Sequence, residues 1–200
     1  TSDIRLLDKK EQLCLEEYVS KIHNSTTLGI TLAMTTGIRI GELCALQWKD
    51  IDLEKRILTV SKTVQRIQLH EADRKTKLII TEPKSESSKR IIPIPEAVVA
   101  FLKEMRENDE DFVVSGTSRV IEPRTMQYRF AKILKNVNLS SVHFHALRHM
   151  FASNCIRLGF DIKALSEILG HSSVEITLNR YVHSSFEQKT EYMNRITICV

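Results

Sequence analysis

The spacing of apolar residues switches twice along this chain, and that switch limits the possible folds more than any other feature. Up to Trp48 the spacing is helical, from Arg56 to Pro95 it alternates, and beyond Pro95 it is helical again. Helices on both sides of a short strand block predict an α+β domain, mainly α-helical, with a small antiparallel β-sheet. Inside the block, Ile57, Thr59 and Ser61 alternate with Leu58, Val60 and Lys62, and β-branched residues favour strands. A second run passes through Val64, Ile67 and Leu69, a third covers Lys77–Thr81 and a fourth covers Arg90–Ile94. The polar stretches His70–Lys75 and Glu82–Ser88 are the turns between runs, and the latter carries Lys84 at a hairpin tip.

The helical parts punctuate themselves. Leu7–His23 has Asp8 near its start and Leu15, Val19 and Ile22 on one face. Ser25 or Thr26 is the expected cap of a second helix through Leu28, Leu32 and Thr35, which Gly37 ends. Arg39 heads a third helix with Glu42, Leu43 and Leu46. Pro95 is expected at the first position of the next, whose face is Val98, Phe101, Leu102 and Met105. A short strand at Phe112–Val114 follows, then a helix opened by Pro123 with Met126, Phe130, Ile133, Leu134 and Val137 inward. Phe144–Leu158, Ile162–Leu169 and Val174–Tyr181 complete the helices, and a tail with Phe186, Tyr192, Met193 and Ile196 suits one more. No internal repeat or low-complexity linker intervenes, so residues 1–200 read as one domain.

Composition narrows the class. With 42% apolar and 27% charged residues, the chain can bury a core and is not a disordered polymer. No run approaches the roughly eighteen apolar residues that a membrane span needs. A net charge of +4 is mildly basic, and a nucleic-acid face requires clustered Lys and Arg rather than a large total. Such clusters occur at Lys84–Arg90 and around Arg119–Arg129. Cys14, Cys44, Cys155 and Cys199 lie far apart without zinc spacing, which reads as reduced, buried thiols of an intracellular protein. The chain begins with Thr rather than Met, so it is expected to be part of a longer protein whose upstream domains are absent here.

Chemistry concentrates between His143 and His183, in HFHALRHMF, LGHSS and NRYVH. His145 and Arg148 are three apart and share a helical face. His171 follows a Leu-Gly pair at a helix end, and Tyr181 lies ten residues on. Phosphodiesters repel nucleophiles because their oxygens are negative, so catalysis on them is largely positioning and charge stabilisation. Two guanidiniums suit that task, and Arg39 and Arg148 are the candidates. His145 and His171 can hydrogen-bond the same phosphate or carry a proton. Lys84 can protonate a departing oxygen, and Tyr181 can attack to form a covalent phosphotyrosine. Blander readings stand beside these. Arg39 and Glu42 form an ordinary helical pair, Tyr181 falls on an apolar face, and His171 caps a helix. His145 and His149 have a zinc-ligand spacing, but no Glu follows the first. Asp161–Arg180 reads as a helix-turn-helix in which Ser172, Ser173 and Glu175 would face base edges.

Taken with TTGIRIGELCALQW around Arg39 and EPKSESSKRIIPI around Lys84, these motifs resemble the tyrosine recombinases of the phage integrase family. The resemblance covers nearly the whole chain and matches Arg39, Lys84, His145, Arg148, His171 and Tyr181 in order. It implies a catalytic domain that cleaves and rejoins double-stranded DNA through a 3′-phosphotyrosyl link, without metal, ATP or other cofactor. The arginines and histidines would bind the scissile phosphate, Lys84 would be the general acid and Tyr181 the nucleophile, with Glu42 supporting Arg39. Four protomers on synapsed DNA would exchange C-terminal tails, in the cytoplasm of a bacterium at the nucleoid. The Thr63–Leu78 region is similar to the hairpin insertion of mobile-element integrases, implying integration and excision of a phage or conjugative transposon. A type IB topoisomerase and a non-catalytic helix-turn-helix regulator are the competing functions.

Overall fold

Helix α1 (Lys9–Lys21) begins where Asp8 accepts the backbone N–H groups of Lys10 and Glu11 at 2.8 and 2.9 Å, while Glu11 reaches back to the Asp8 N–H. The computed structural model describes residues 5–68, 76–83, 85–181, 190 and 193–194, with Glu86, Arg180 and Tyr181 described by backbone alone. Helix α2 (Ser25–Thr36) is capped one residue earlier than expected. Asn24 Oδ1 accepts the Thr26 and Thr27 N–H groups at 2.9 and 3.0 Å, a geometry that neither Ser25 nor Thr26 occupies. Leu28, Ile30, Leu32 and Ala33 are all fully buried, so α2 is covered over most of its circumference and runs through the middle of the domain.

Around α2 pack α1, α3 (Ile40–Ala45), α4 (Glu96–Met105), α5 (Pro123–Asn136) and α6 (His145–Arg157). Pro95 precedes α4 as its cap rather than occupying its first position, whereas Pro123 does open α5. Trp48, Phe130 and Phe144 are the bulkiest of the fully buried side chains, and the last two rings meet edge to face at 5.4 Å. Phe151, Ala152 and Cys155 of α6 join Leu165 and Leu169 of α7 (Ile162–Leu169) in a smaller cluster. Helix α8 (Val174–Tyr181) follows.

The strand block divides into two small sheets rather than one. In the first, β1 (Ile51–Asp52), β2 (Ile57–Val60) and β5 (Arg90–Pro93) pair antiparallel in that order, with Leu58 opposite Ile92 and Val60 opposite Arg90. In the second, β3 (Thr63–Gln68) pairs with β4 (Thr76–Thr81). Both sides of β2 are taken by β1 and β5, so β3 must find another partner. It lies across α3, where a Cβ on Gly41 would sit 2.6 Å from Thr63 Oγ1 and 2.9 Å from the Val64 carbonyl oxygen. Phe112–Val114 is not a strand. Phe112 makes isolated bridges to Gln47 and Thr117, and the segment is otherwise a buried turn.

Cys44 and Cys155 are buried, and burial pushes their thiols up to about 12 and about 11. Cys14 is half-buried, and Cys199 lies outside the described residues. Among the described residues, no helix is long and apolar enough to cross a membrane.

Candidate active site

Helix α2 stops at Gly37, whose φ of 64° is the left-handed conformation that an L side chain resists. A Cβ there would lie 2.5 Å from a Phe151 ring carbon, so the glycine also lets the end of α2 abut α6. Two residues on, Arg39 caps α3 in an extended conformation, and Glu42 Oε2 accepts its backbone N–H at 3.0 Å. Helix α6 brings His145 and Arg148 to the same place. His145 is exposed at its first turn, with its ring edge to face against buried His149 at 4.8 Å, whereas Arg148 is 3% exposed.

The end of α7 ties these parts together. Gly170, with φ of 63°, closes the helix in the left-handed conformation and leaves the last carbonyls of α7 without intrahelical donors. Three consecutive carbonyls then accept three arginines from three different elements. Ile168 O accepts Arg90 Nε at 2.6 Å, Leu169 O accepts Arg148 Nη2 at 2.6 Å, and Gly170 O accepts Arg39 Nη2 at 2.9 Å. Cations are favoured there because the peptide dipoles place partial negative charge at a helix C-terminus. A second carbonyl, Gly37 O, accepts Arg148 Nη1 at 2.7 Å. His171 follows Gly170, and its Nδ1 lies 2.8 Å from Thr177 Oγ1 of α8, which fixes the ring's orientation.

Beneath Arg39 is Glu42, 4% exposed. Its Oε1 accepts Arg39 Nη1 at 2.9 Å and Arg90 Nη1 at 3.1 Å, and its Oε2 accepts Arg90 Nη2 at 2.9 Å. Burial alone would raise the Glu42 pKa, but the hydrogen bonds and charge of Arg90, with the charge of Arg39, outweigh it and hold the carboxyl below its ordinary range. The site therefore keeps an ionised glutamate under a surplus of arginine charge.

These elements enclose a cleft of about 260 Å3 lined by Arg39, His145, Arg148 and His171, with Ser85, Ser88, Gly170, Ser172 and Ile176. Four of the predicted site residues thus share one wall-to-wall space. Lys84 lies outside the described residues, as does the Tyr181 side chain, whose backbone ends α8. Lys89 and Arg90, members of the basic cluster Lys84–Arg90 expected to offer a nucleic-acid face, are placed differently. The segment is no hairpin, since β4 and β5 belong to different sheets; Lys89 Nζ pairs with Glu82 at 2.8 Å across the connection between them, and Arg90 points inward with a side chain 6% exposed. Ser85, Ser88 and Thr177 were not singled out by the sequence, and only the adjacency of Ser85 and Ser88 to Lys84 marks them.

Two guanidiniums and two imidazoles in one cleft on a mainly helical α+β domain present the donor set that a phosphate-like anion would accept. The chain belongs to the phage integrase family, whose model matches residues 5–188, and its fold is that of tyrosine recombinase catalytic domains. It is 33% identical over 178 residues to the tyrosine recombinase XerC-like protein of Caldanaerobacter subterraneus subsp. tengcongensis, covering 80% of this chain and 46% of that one. To the transposase of transposon Tn916 from Enterococcus faecalis it is 27% identical over 207 residues, covering 94% of this chain and 50% of the other. The integrase of transposon Tn1549, solved in complex with transposon right-end DNA, superposes with a TM-score of 0.76 at 26% identity, covering 98% of this chain and 66% of that one. The chain spans about half the length of the curated relatives it matches.

Proposed function

We propose that this chain is the catalytic part of a site-specific recombinase that integrates and excises a mobile element or phage in a bacterium. The observation that carries the reading is the convergence of Arg39, His145, Arg148 and His171 on one cleft. In this reading the scissile phosphate of double-stranded DNA enters that cleft, and its non-bridging oxygens take hydrogen bonds from the two guanidiniums and the imidazoles. Because backbone carbonyls already hold both guanidiniums, little reorganisation is needed as charge develops in the transition state. The Tyr181 oxygen attacks phosphorus, a P–O bond to tyrosine forms, and the bond to the 5′ oxygen breaks. Lys84 gives that oxygen a proton, and a histidine takes the phenolic one. Attack by a 5′ hydroxyl reverses the step, so no ATP is consumed.

Relatives named for transposons Tn916 and Tn1549 and for recombinase XerC support recombination between sites over relaxation by a type IB topoisomerase. Assembly as four protomers with exchanged C-terminal tails, on the nucleoid in the cytoplasm, belongs to the same proposal. Ser172 lines the cleft, and the last carbonyls of α7 are occupied by arginines. That use of the α7–α8 turn favours catalysis over a free helix-turn-helix that reads bases.

The test is a suicide trap. The chain is incubated with a nicked duplex from the end of its own element, in EDTA, and a denaturing gel is searched for a covalent adduct mapped by mass spectrometry. An adduct on Tyr181 that vanishes in Tyr181→Phe, while DNA binding persists, is the expected result. Binding without any adduct would instead establish the regulator.

A further inference from the structure

We infer that Arg90 is a positioning residue for Arg39, acting through Glu42 and the end of α7, and that it makes no phosphate contact of its own. The inference rests on the reading proposed above, because it concerns how the phosphate clamp is held.

Period-two geometry puts Arg90 on the same face of its strand as Ile92 and Ile94, both buried, while Ile91 between them is 60% exposed. The guanidinium is consumed by the protein. Nε donates to Ile168 O at 2.6 Å, Nη1 to Glu42 Oε1 at 3.1 Å and to Ser88 O at 3.0 Å, and Nη2 to Glu42 Oε2 at 2.9 Å. Arg90 is also absent from the residues lining the cleft. A basic side chain meant for DNA would do the opposite and offer its donors outward.

What Arg90 touches is what holds Arg39. The Arg39 guanidinium has two anchors, the Glu42 carboxylate at Nη1 and the Gly170 carbonyl at Nη2. Arg90 grips the first directly. It underlies the second as well, since a Cβ on Gly170 would lie 3.0 Å from both Arg90 Cδ and Nη1. The glycine backbone therefore rests on the Arg90 side chain. The Arg39 side chain is 36% exposed, so among the described residues these two anchors are what fixes its fork toward the cleft. Removing Arg90 loosens both at once.

A double-mutant cycle tests this, with single-turnover adduct formation on the nicked suicide duplex as the readout. Arg90→Lys keeps the charge and loses the fork. It is expected to slow the adduct about 100-fold when Arg39 is present, the scale of a misplaced catalytic group. In an Arg39→Ala background the same change should matter within about twofold, because there is no longer a fork to position. Glu42→Asp, which leaves Arg90 in place but withdraws the carboxylate, should show the same dependence on Arg39. It keeps the test decisive if the Arg90 variants melt below the assay temperature. Losses that multiply fully in the Arg39→Ala background would overturn the inference in favour of general destabilisation. So would a drop of about one in the slope of log affinity against log salt for Arg90→Gln, which marks a lost phosphate contact. If the unaltered chain forms no adduct, the recombinase reading fails first and takes this inference with it. An adduct with multiplying losses removes only the role of Arg90.

Discussion

Two arginine–glutamate forks in this molecule have similar geometry and opposite surroundings. Arg66 holds Glu122 through Nε and Nη2 at 2.6 and 2.8 Å, and Arg90 holds Glu42 through Nη1 and Nη2 at 3.1 and 2.9 Å. The first pair ties β3 to the start of α5 on the surface, with side chains 44% and 24% exposed, whereas the second is 6% and 4% exposed. Bond length does not separate them; water does. At the surface, solvent competes for both ions and screens their attraction. In the interior water cannot replace a lost partner, so each member becomes a condition for the other. The second fork also continues into Arg39, which turns a stabilising pair into the support of a cleft residue.

That contrast can be broken by experiment. The largest effect is expected for Arg90→Gln, which leaves the Glu42 carboxylate buried with half its partners. Urea unfolding should show a loss of about 3–5 kcal/mol, and a loss below about 1 kcal/mol would mean that Arg39 alone satisfies Glu42. A smaller effect is expected from acid. The folded-state pKa of Glu42 is held below its ordinary value of 4.5, so its contribution is fully present above that value and is lost as pH falls through the depressed folded value. Stability measured downward from pH 4.5 should therefore fall more steeply in the unaltered chain than in Glu42→Gln. Equal slopes would place the acid sensitivity elsewhere. The smallest effect belongs to Arg66→Gln, for which thermal melting should be indistinguishable from the parent. A clear drop there would make the surface fork part of the fold's support.

Much of this architecture is legible in the sequence. The change of period marks off the strand block, Pro123 and Gly37 bound helices where expected, and Arg39 pairs with Glu42 as its spacing suggests. Local rules suffice for those features because their partners lie within a few residues. The failures have a common cause in distant partners. One sheet was expected where there are two, since nothing near β2 reveals that β1 and β5 flank it and that Gly41 admits β3 to α3. Phe112–Val114 has strand composition but only isolated bridges. Arg90 was grouped with Lys84 and Lys89 by charge, although strict alternation with Ile92 and Ile94 would have turned it inward. The cleft's arginines and histidines were found through resemblance to a family, and no spacing rule foretells that three carbonyls in a row would receive three arginines.

Those three carbonyls have a consequence for the time at which the site comes into being. Their arginines stand 131, 78 and 21 residues earlier in the chain. Synthesis proceeds from the N-terminus, and long-range contacts wait for their second member. The core around α2 can begin to assemble while the ribosome is still at work, yet its arginines lack the carbonyls that gather them in one place until Gly170 has emerged. A chain released early would therefore carry the helices without the clamp. The joining of the three arginines is therefore a late event, completed only after every element that bears them has been made.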